Sequence, residues 1–162
     1  MLKTIVVKTT FLFLILISST AHAQVPVTGN PDHAAMLQAD TPELEANKRL
    51  VYDFWRIVFE GQQLDRVADF LAEDYIQHNP RVPTGRQGFI DVFKQFANPD
   101  TNVESRVKAP LVAIMAEGDL VTLVFVRNMP AKGDTAAYST TWFDMFRIED
   151  GEIVEHWDPQ TK

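Results

Sequence analysis

The 162-residue chain has no cysteine, few basic residues and no long hydrophobic run after its first 23 residues. Without cysteine it can form neither disulfides nor zinc–thiolate sites, and it has no thiol nucleophile. Its 15 Lys and Arg stand against 22 Asp and Glu, and this acidic balance does not favour nucleic acid as a partner. With 46% hydrophobic residues, the composition also excludes a disordered or collagen-like chain and predicts one globular domain.

Residues 1–23 have the pattern of a secretory signal peptide. Two lysines precede the short apolar run over 11–17, and the segment ends at Ala23 in an A-x-A cleavage motif. The run is too short to span a bilayer, so an uncleaved membrane anchor is the less favoured alternative. We expect a mature protein that begins at Gln24, carries a net charge of −9 once both lysines are removed, and is periplasmic or secreted. No stable membrane insertion is expected after cleavage.

The periodicity of the remaining chain divides it into two halves. Residues 24–40 show little periodicity and predict a flexible arm ahead of one domain over 41–162. Helical spacing predicts three helices in the first half of this domain, at 41–60, 64–71 and 85–96. An extended segment at 75–78 lies between the last two, and later segments with strand periodicity are separated by turn signals, at 103–108, 111–116, 120–127, 138–148 and 153–157.

This order of elements predicts an α+β fold. Three N-terminal helices would pack on one face of a curved, mostly antiparallel sheet. A sheet that bends over helices encloses a cone-shaped apolar interior, which suits a small-molecule ligand.

Ionisable residues interrupt the apolar pattern in three segments, at 75–80, 142–147 and 153–158. In the first segment, strand alternation places Ile76 and His78 on one side and Tyr75 and Gln77 on the other. His78 is either a functional residue or a side chain that only hydrogen-bonds the following Asn-Pro turn.

Asp144 interrupts an aromatic strand. Trp142 and Phe146 share its predicted face, so the carboxylate should be desolvated. Desolvation raises the pKa of a carboxyl group, and a raised pKa suits a general acid or base. The alternative is a structural ion pair with Arg127 or Arg147 on the outer face of the sheet.

The last turn decides what Asp144 faces. A two-residue loop of Asp150 and Gly151 would put Asp144 opposite Trp157. A three-residue loop that begins at Glu149 would put Asp144 opposite His156, and Trp142 opposite Asp158. Both loops fit the sequence.

Metal and cofactor motifs are missing from the sequence. The two histidines and two aspartates of the three segments form no close HxH or HExxH pair, so no metal site is expected. The glycines at 85 and 88 lack the lysine and spacing of a phosphate-binding loop, and no G-x-S-x-G motif is present. We expect no cofactor.

From about Ala46 to the C-terminus, the chain resembles the SnoaL-like polyketide-cyclase family of the NTF2-like superfamily. Within it, the chain is most similar to a bacterial group of predicted SnoaL-like aldol-condensation enzymes. The resemblance rests on four segments, at 47–54, 75–80, 118–121 and 144–158. It implies a cone-shaped α+β barrel, a pocket between sheet and helices, and a homodimer formed through the outer face of the sheet. It also favours the three-residue loop, because that pairing brings Asp144, His156 and Asp158 to one side.

The resemblance also implies roles for individual residues. Family cyclases move a proton beside a carbonyl with a carboxylate, which corresponds here to Asp158. Asp144 corresponds to a second polar pocket residue, and His78 or Asn79 to a group that steadies the substrate oxygen. The chain departs from the closest bacterial group at 122–125, where that group commonly carries a histidine and this sequence has none.

These observations predict an exported protein that binds a small apolar carbonyl compound and catalyses cofactor-free aldol cyclisation or isomerisation. The alternatives are a non-catalytic ligand-binding or accessory domain and an epoxide-hydrolase-like enzyme. The expected catalytic residues are Asp158, Asp144 and His78, and the expected substrate-binding residues are Asn79, Tyr75, His156, Trp142 and Trp55.

Overall fold

A computed structural model describes residues 25–100 and 102–162. The predicted signal peptide and the predicted first residue of the mature protein, Gln24, lie outside the described residues. In the described part of the chain, no helix has both the length and the apolar character needed to cross a membrane.

Five strands form one curved sheet. They are β1 (Leu71–Gln77), β2 (Leu111–Glu117), β3 (Leu120–Met129), β4 (Tyr138–Glu149) and β5 (Glu152–Trp157). Their order is β1-β5-β4-β3-β2; β1 runs parallel to β5, and the other neighbours are antiparallel. The predicted α+β class and mostly antiparallel sheet are therefore confirmed. The sheet is not closed into a barrel, because β1 and β2 remain as edges.

The helices are α1 (His33–Leu37), α2 (Pro42–Phe54) and α3 (Arg86–Phe93), with a π-helical turn at Trp55–Glu60 and a 3₁₀ helix at Leu64–Asp69. The Thr41 side chain caps α2 by accepting a hydrogen bond from the Leu44 amide. The π-helical turn ends at Gly61, where a Cβ atom would lie only 2.7 Å from the Ile57 carbonyl oxygen.

Strand β1 begins at Leu71, inside the helix predicted at 64–71 and four residues before the extended segment predicted at 75–78. Two further segments differ from the prediction in the type of structure they form. The predicted arm contains the short helix α1, whose five residues are too few to show periodicity; buried His33 anchors it through Nδ1, 2.7 Å from the Tyr52 hydroxyl. The strand predicted at 103–108 is absent from the described residues of that segment. Side chains accept the hydrogen bonds of its backbone amides instead. The Val107 amide donates to the Tyr52 hydroxyl, and the Lys108 amide donates to the Glu60 carboxylate.

The helices pack on the inner face of the sheet. The ring of Phe54 on α2 lies 5.9 Å from that of Phe89 on α3 and 5.9 Å from that of Phe146 on β4, measured between centroids. These rings join both helices to the centre of the sheet in one hydrophobic core.

The hairpin between β4 and β5 corrects the expected pairing. Its loop has two residues, Asp150 and Gly151, whose positive φ angles of 49° and 83° fit a tight hairpin turn. The expected three-residue loop is therefore wrong. A bulge in β5 then shifts the register by one residue, so that Phe146 lies opposite His156. Because the bulge adds one residue to the alternation, Asp144 and His156 still share the inner face.

Candidate functional site

A cavity of about 410 Å³ lies between the helices and the inner face of the sheet. Its walls are mostly aromatic, and its polar groups come from β1, β3, β4, β5 and the segments that follow β1 and β5. The aromatic lining residues other than tyrosine are Phe54, Trp55, Phe59, Phe89, Phe93, Phe125, Trp142 and Phe146. The polar lining residues are Tyr75, Gln77, Asn79, Arg127, Asp144, His156, Asp158 and Gln160.

Asp144 and His156 form a buried pair in the cavity wall. His156 Nε2 lies 3.1 Å from Asp144 Oδ1, and both residues are more than nine-tenths buried. Burial raises the pKa of the Asp144 carboxyl above its usual value, although the hydrogen bond with His156 opposes this effect. Neither Arg127 nor Arg147 forms an ion pair with Asp144, so the alternative of a structural ion pair with arginine is not observed among the described residues.

The hydrogen bonds around Gln77 determine where the pair must hold a proton. The Asn79 backbone amide donates to Gln77 Oε1 at 2.9 Å, which fixes that atom as an acceptor. His156 Nδ1 lies 2.8 Å from the same oxygen and must therefore donate to it. In a neutral imidazole, Nε2 is then an acceptor, and it faces a carboxylate oxygen that is also an acceptor. The Asp144–His156 pair therefore holds a bridging proton between Nε2 and Oδ1.

Asp158 is a second carboxylate in the same wall. Its Oδ2 accepts a hydrogen bond of 2.7 Å from Asn79 Nδ2, and its Oδ1 accepts one of 2.8 Å from the Gln160 amide. These two donors fix the orientation of the carboxylate, which is partly exposed at the cavity.

Tyr75 contributes a neutral hydroxyl to the cavity. Its oxygen accepts a hydrogen bond from Gln77 Nε2 at 3.1 Å, which leaves the hydroxyl hydrogen free to donate. Burial raises the pKa of this phenol well above its usual value, and the nearby charges of Asp144 and Asp158 raise it further. Tyr75 therefore keeps its proton at neutral pH.

Two buried polar atoms in the lining residues have no hydrogen-bond partner among the described residues. They are the indole nitrogen Nε1 of Trp55 and the carboxyl oxygen Oδ2 of Asp144. An unsatisfied buried polar group costs about 1–3 kcal/mol. A bound ligand that hydrogen-bonds to either atom would recover part of this cost.

The structure brings seven of the eight predicted site residues to the cavity. The exception is His78, which lies on the outer side of the sheet. Its Nε2 is 2.7 Å from Glu155 Oε1, and its ring stacks on Trp157 with centroids 5.2 Å apart. Strand alternation explains this position, since His78 lies on the opposite side of the chain from Tyr75.

Sequence reasoning missed three polar residues of the site, Gln77, Arg127 and Gln160. Gln77 lies on the same strand face as Tyr75, so the alternation of side chains along β1 could have predicted its place in the site. Arg127 lies two residues after Phe125 on the inner face of β3, so its position also follows from alternation. Gln160 follows the last strand, where no periodicity locates it.

The Asp144–His156–Asp158 cluster is compact enough to consider a metal ion. One ligand atom from each residue lies within 4.8 Å of the others. The sequence analysis expected these three residues on one side of the sheet, but their spacing in the sequence predicted no metal site. A metal ion bound to Nε2 and Oδ1 would have to replace the bridging proton of the pair.

Comparisons with known proteins identify the family and the fold. The family model for the SnoaL-like domain matches residues 51–156. Among curated proteins, none matches the chain significantly. An LEH-like epoxide hydrolase from M. tuberculosis is similar in structure, with 18% identity over 74% of this chain and 81% of that one and a TM-score of 0.51.

A candidate polyketide cyclase from Acidithiobacillus ferrooxidans has 14% identity over 75% of this chain and 89% of its own, with a TM-score of 0.50. At these identities the two structures show the fold alone. The matched segment contains most of the cavity and both members of the Asp144–His156 pair. The chain therefore belongs to the SnoaL-like family, and it has the NTF2-like fold.

Proposed function

We propose that the protein binds a small, largely apolar carbonyl compound in the cavity and removes a proton from the carbon beside the carbonyl. The reaction needs no cofactor. One observation carries the proposal: a carboxylate, Asp158, and a proton-holding pair, Asp144–His156, face the same aromatic cavity. A base and an acid on one wall can remove a proton from the substrate and supply a proton to the enolate.

Asp158 is assigned as the base. The substrate C–H bond breaks and its proton passes to Asp158; the C–H electron pair forms the carbon–carbon double bond of the enolate, and the carbonyl π pair moves onto the oxygen. The Tyr75 hydroxyl and the Trp55 indole N–H are donors available to that oxygen, since neither donates to a described residue. The Asp144–His156 pair supplies the proton that quenches the enolate, and Asp158 then returns its proton to the pair or to water.

Hydrogen–deuterium exchange tests this assignment. The probe is 4-acetylphenylacetamide in D₂O, and the measurement is the loss of its acetyl methyl signal in proton NMR. Asp158→Asn should slow exchange about 100-fold, in the range typical of a lost general base, while calorimetric binding of the probe persists. The matched acid-to-amide control, Glu155→Gln on the outer face, should exchange at the wild-type rate.

Two results would refute the base assignment. One is exchange by Asp158→Asn at the wild-type rate, and the other is no exchange by the wild-type protein above buffer. A chelator is added in a parallel sample, because loss of exchange with the chelator would show that the acidic cluster works through a metal ion.

An epoxide hydrolase is the second candidate. A carboxylate that is hydrogen-bonded to an amide, as Asp158 is to Asn79, can also hold and activate an attacking water. Conversion of styrene oxide to its diol, with no ketone exchange, would favour this function. Binding of the acetamide probe with neither reaction would favour a ligand-binding or accessory role.

Export and dimerisation belong to the same proposal. The signal-peptide pattern of residues 1–23 supports a periplasmic or secreted protein. The outer face of the sheet carries three apolar side chains that are about half exposed: Ile76, Met115 and Phe143. A second copy of the chain would bury them, which supports a homodimer through this face.

A further inference from the structure

Arg127 is an unusual member of the cavity lining. Among the described residues that line the cavity it is the one arginine, and no lysine lines it. It lies on the inner face of β3, and its guanidinium carbon is 4.1 Å from the centre of the Trp142 ring. Stacking on an indole fixes the plane of the guanidinium group and leaves its edge free to bind.

The donors of Arg127 are unused within the described part of the chain. No described carboxylate forms a salt bridge with it, in contrast to Arg56, Arg66 and Arg147. An arginine presents five N–H donors in a planar fork that matches a carboxylate. Arg127 is thus a prearranged cationic group at the edge of a cavity that is otherwise apolar and acidic.

The strand register gives the spacing between Trp142, over which the Arg127 guanidinium lies, and Asp144. Leu123 on β3 pairs with Asp144, Phe125 with Trp142, and Arg127 with Thr140. Trp142, which carries the stacked guanidinium, is two residues from Asp144 on the same face, or about 7 Å along the strand. Aromatic side chains line the space between the two ends.

We infer that the ligand of this cavity is an anionic carbonyl compound, whose carboxylate binds Arg127 while its carbonyl lies beside Asp158. The two groups are separated by an apolar spacer of about 7 Å. The inference rests on the proposed function and specifies its substrate class. Charge fixes the orientation, because Arg127 attracts the carboxylate at one end and the Asp158 carboxylate repels it at the other.

Isothermal titration calorimetry with two matched probes tests the inference. They are 4-acetylphenylacetate and its neutral amide, 4-acetylphenylacetamide, which have the same shape. Wild-type protein should bind the acid about tenfold more tightly than the amide, as expected for one charge-assisted contact. Arg127→Gln should weaken acid binding about tenfold and leave amide binding unchanged, and Arg127→Lys should retain part of the preference.

Arg66→Gln is the matched control, because Arg66 also lies over an aromatic ring, that of Phe70, but does not line the cavity. It should keep the full preference for the acid. Equal affinity for both probes in the wild-type protein, or a preference that survives Arg127→Gln, would overturn the inference.

The same probes separate this inference from the proposed function. If acid and amide bind equally and both exchange their methyl protons, the anion site is refuted and the proposed function stands. If the Arg127-dependent preference is found without exchange, catalysis is refuted and the anion site stands. If neither probe binds the wild-type protein, both are refuted.

Discussion

The two faces of the sheet each carry a histidine paired with a carboxylate, and the two pairs have opposite properties. On the inner face, His156 and Asp144 are 3.1 Å apart, and their side chains are 8% and 5% exposed. On the outer face, His78 and Glu155 are 2.7 Å apart, and their side chains are 45% and 18% exposed. Glu155 and His156 are neighbours in β5, so strand alternation alone separates the two environments.

The pKa values of the two carboxyl groups shift in opposite directions. Burial raises the pKa of Asp144. The hydrogen bond from His78 lowers the pKa of Glu155, which Arg147 also contacts. The shorter contact is therefore an ordinary surface hydrogen bond, whereas the longer one holds a bridging proton inside a cavity. For acid–base chemistry, the environment of a pair matters more than its distance.

The largest difference between the inner and outer faces should appear in stability, when one phenylalanine on each face of β4 is replaced by alanine. Phe146 is 1% exposed and packs against Phe54 and His156, whereas Phe143 is 45% exposed. Phe146→Ala should lower the free energy of unfolding by about 3–5 kcal/mol because it leaves a cavity in the core. Phe143→Ala should lower it by about 0.5 kcal/mol or less. Urea unfolding of both variants, at a concentration where the protein is monomeric, measures this; similar losses would contradict the inner–outer distinction.

The pH dependence of stability should differ in sign between the two acids. Above the usual pKa of 3.8, the folded state keeps a proton on Asp144 that the unfolded state has lost, so the contribution of this group to stability falls as pH rises. Near the usual glutamate pKa of 4.5, the unfolded state binds more protons at Glu155 than the folded state does. The contribution of Glu155 to stability therefore rises with pH and is lost on acidification. Each slope is at most about 1.4 kcal/mol per pH unit.

Urea unfolding from pH 3.5 to 7.5 checks these slopes. Asp144→Asn should remove the decline toward neutral pH, and Glu155→Gln should remove part of the loss at acidic pH. If both substitutions changed the profile in the same direction, the contrast between the two acids would be refuted.

The smallest effect is expected from His78→Gln. The substitution breaks an exposed hydrogen bond with Glu155 and a stacking contact with Trp157, so it should cost less than about 1 kcal/mol of stability. Exchange of the 4-acetylphenylacetamide methyl protons should stay within twofold of the wild-type rate, because His78 does not reach the cavity. A 100-fold loss of exchange would restore His78 to the catalytic role that the sequence predicted.

Much of the fold was accessible from the sequence. Helical spacing predicted α2, and alternating residues separated by turn signals predicted β2 to β5. The failures have a common physical cause. The strand predicted at 103–108 was lost because side chains of Tyr52 and Glu60, about 50 residues earlier, supply its hydrogen bonds. Helix α1 depends on a contact between His33 and Tyr52 that no local pattern records.

The candidate site also combines features that the sequence predicted with features that depend on distant contacts. Alternation along β4 placed Asp144 on an apolar face, as the structure has it. The pairing of the last hairpin was predicted with the wrong loop, yet the bulge in β5 restored the expected face. A bulge is decided by the packing of the whole sheet, and neither loop considered from the sequence included it.

Local chemistry therefore determined which segments become helices and strands, and which side chains share a strand face, because these properties depend on residues a few positions apart. The tertiary structure alone decided the strand register that brings His156 to Asp144, the hydrogen bond between Gln77 and His156, and the stacking of Arg127 on Trp142. Those contacts join residues from different strands. Their partners depend on register, bulges and burial, which are set only when the sheet and helices pack together.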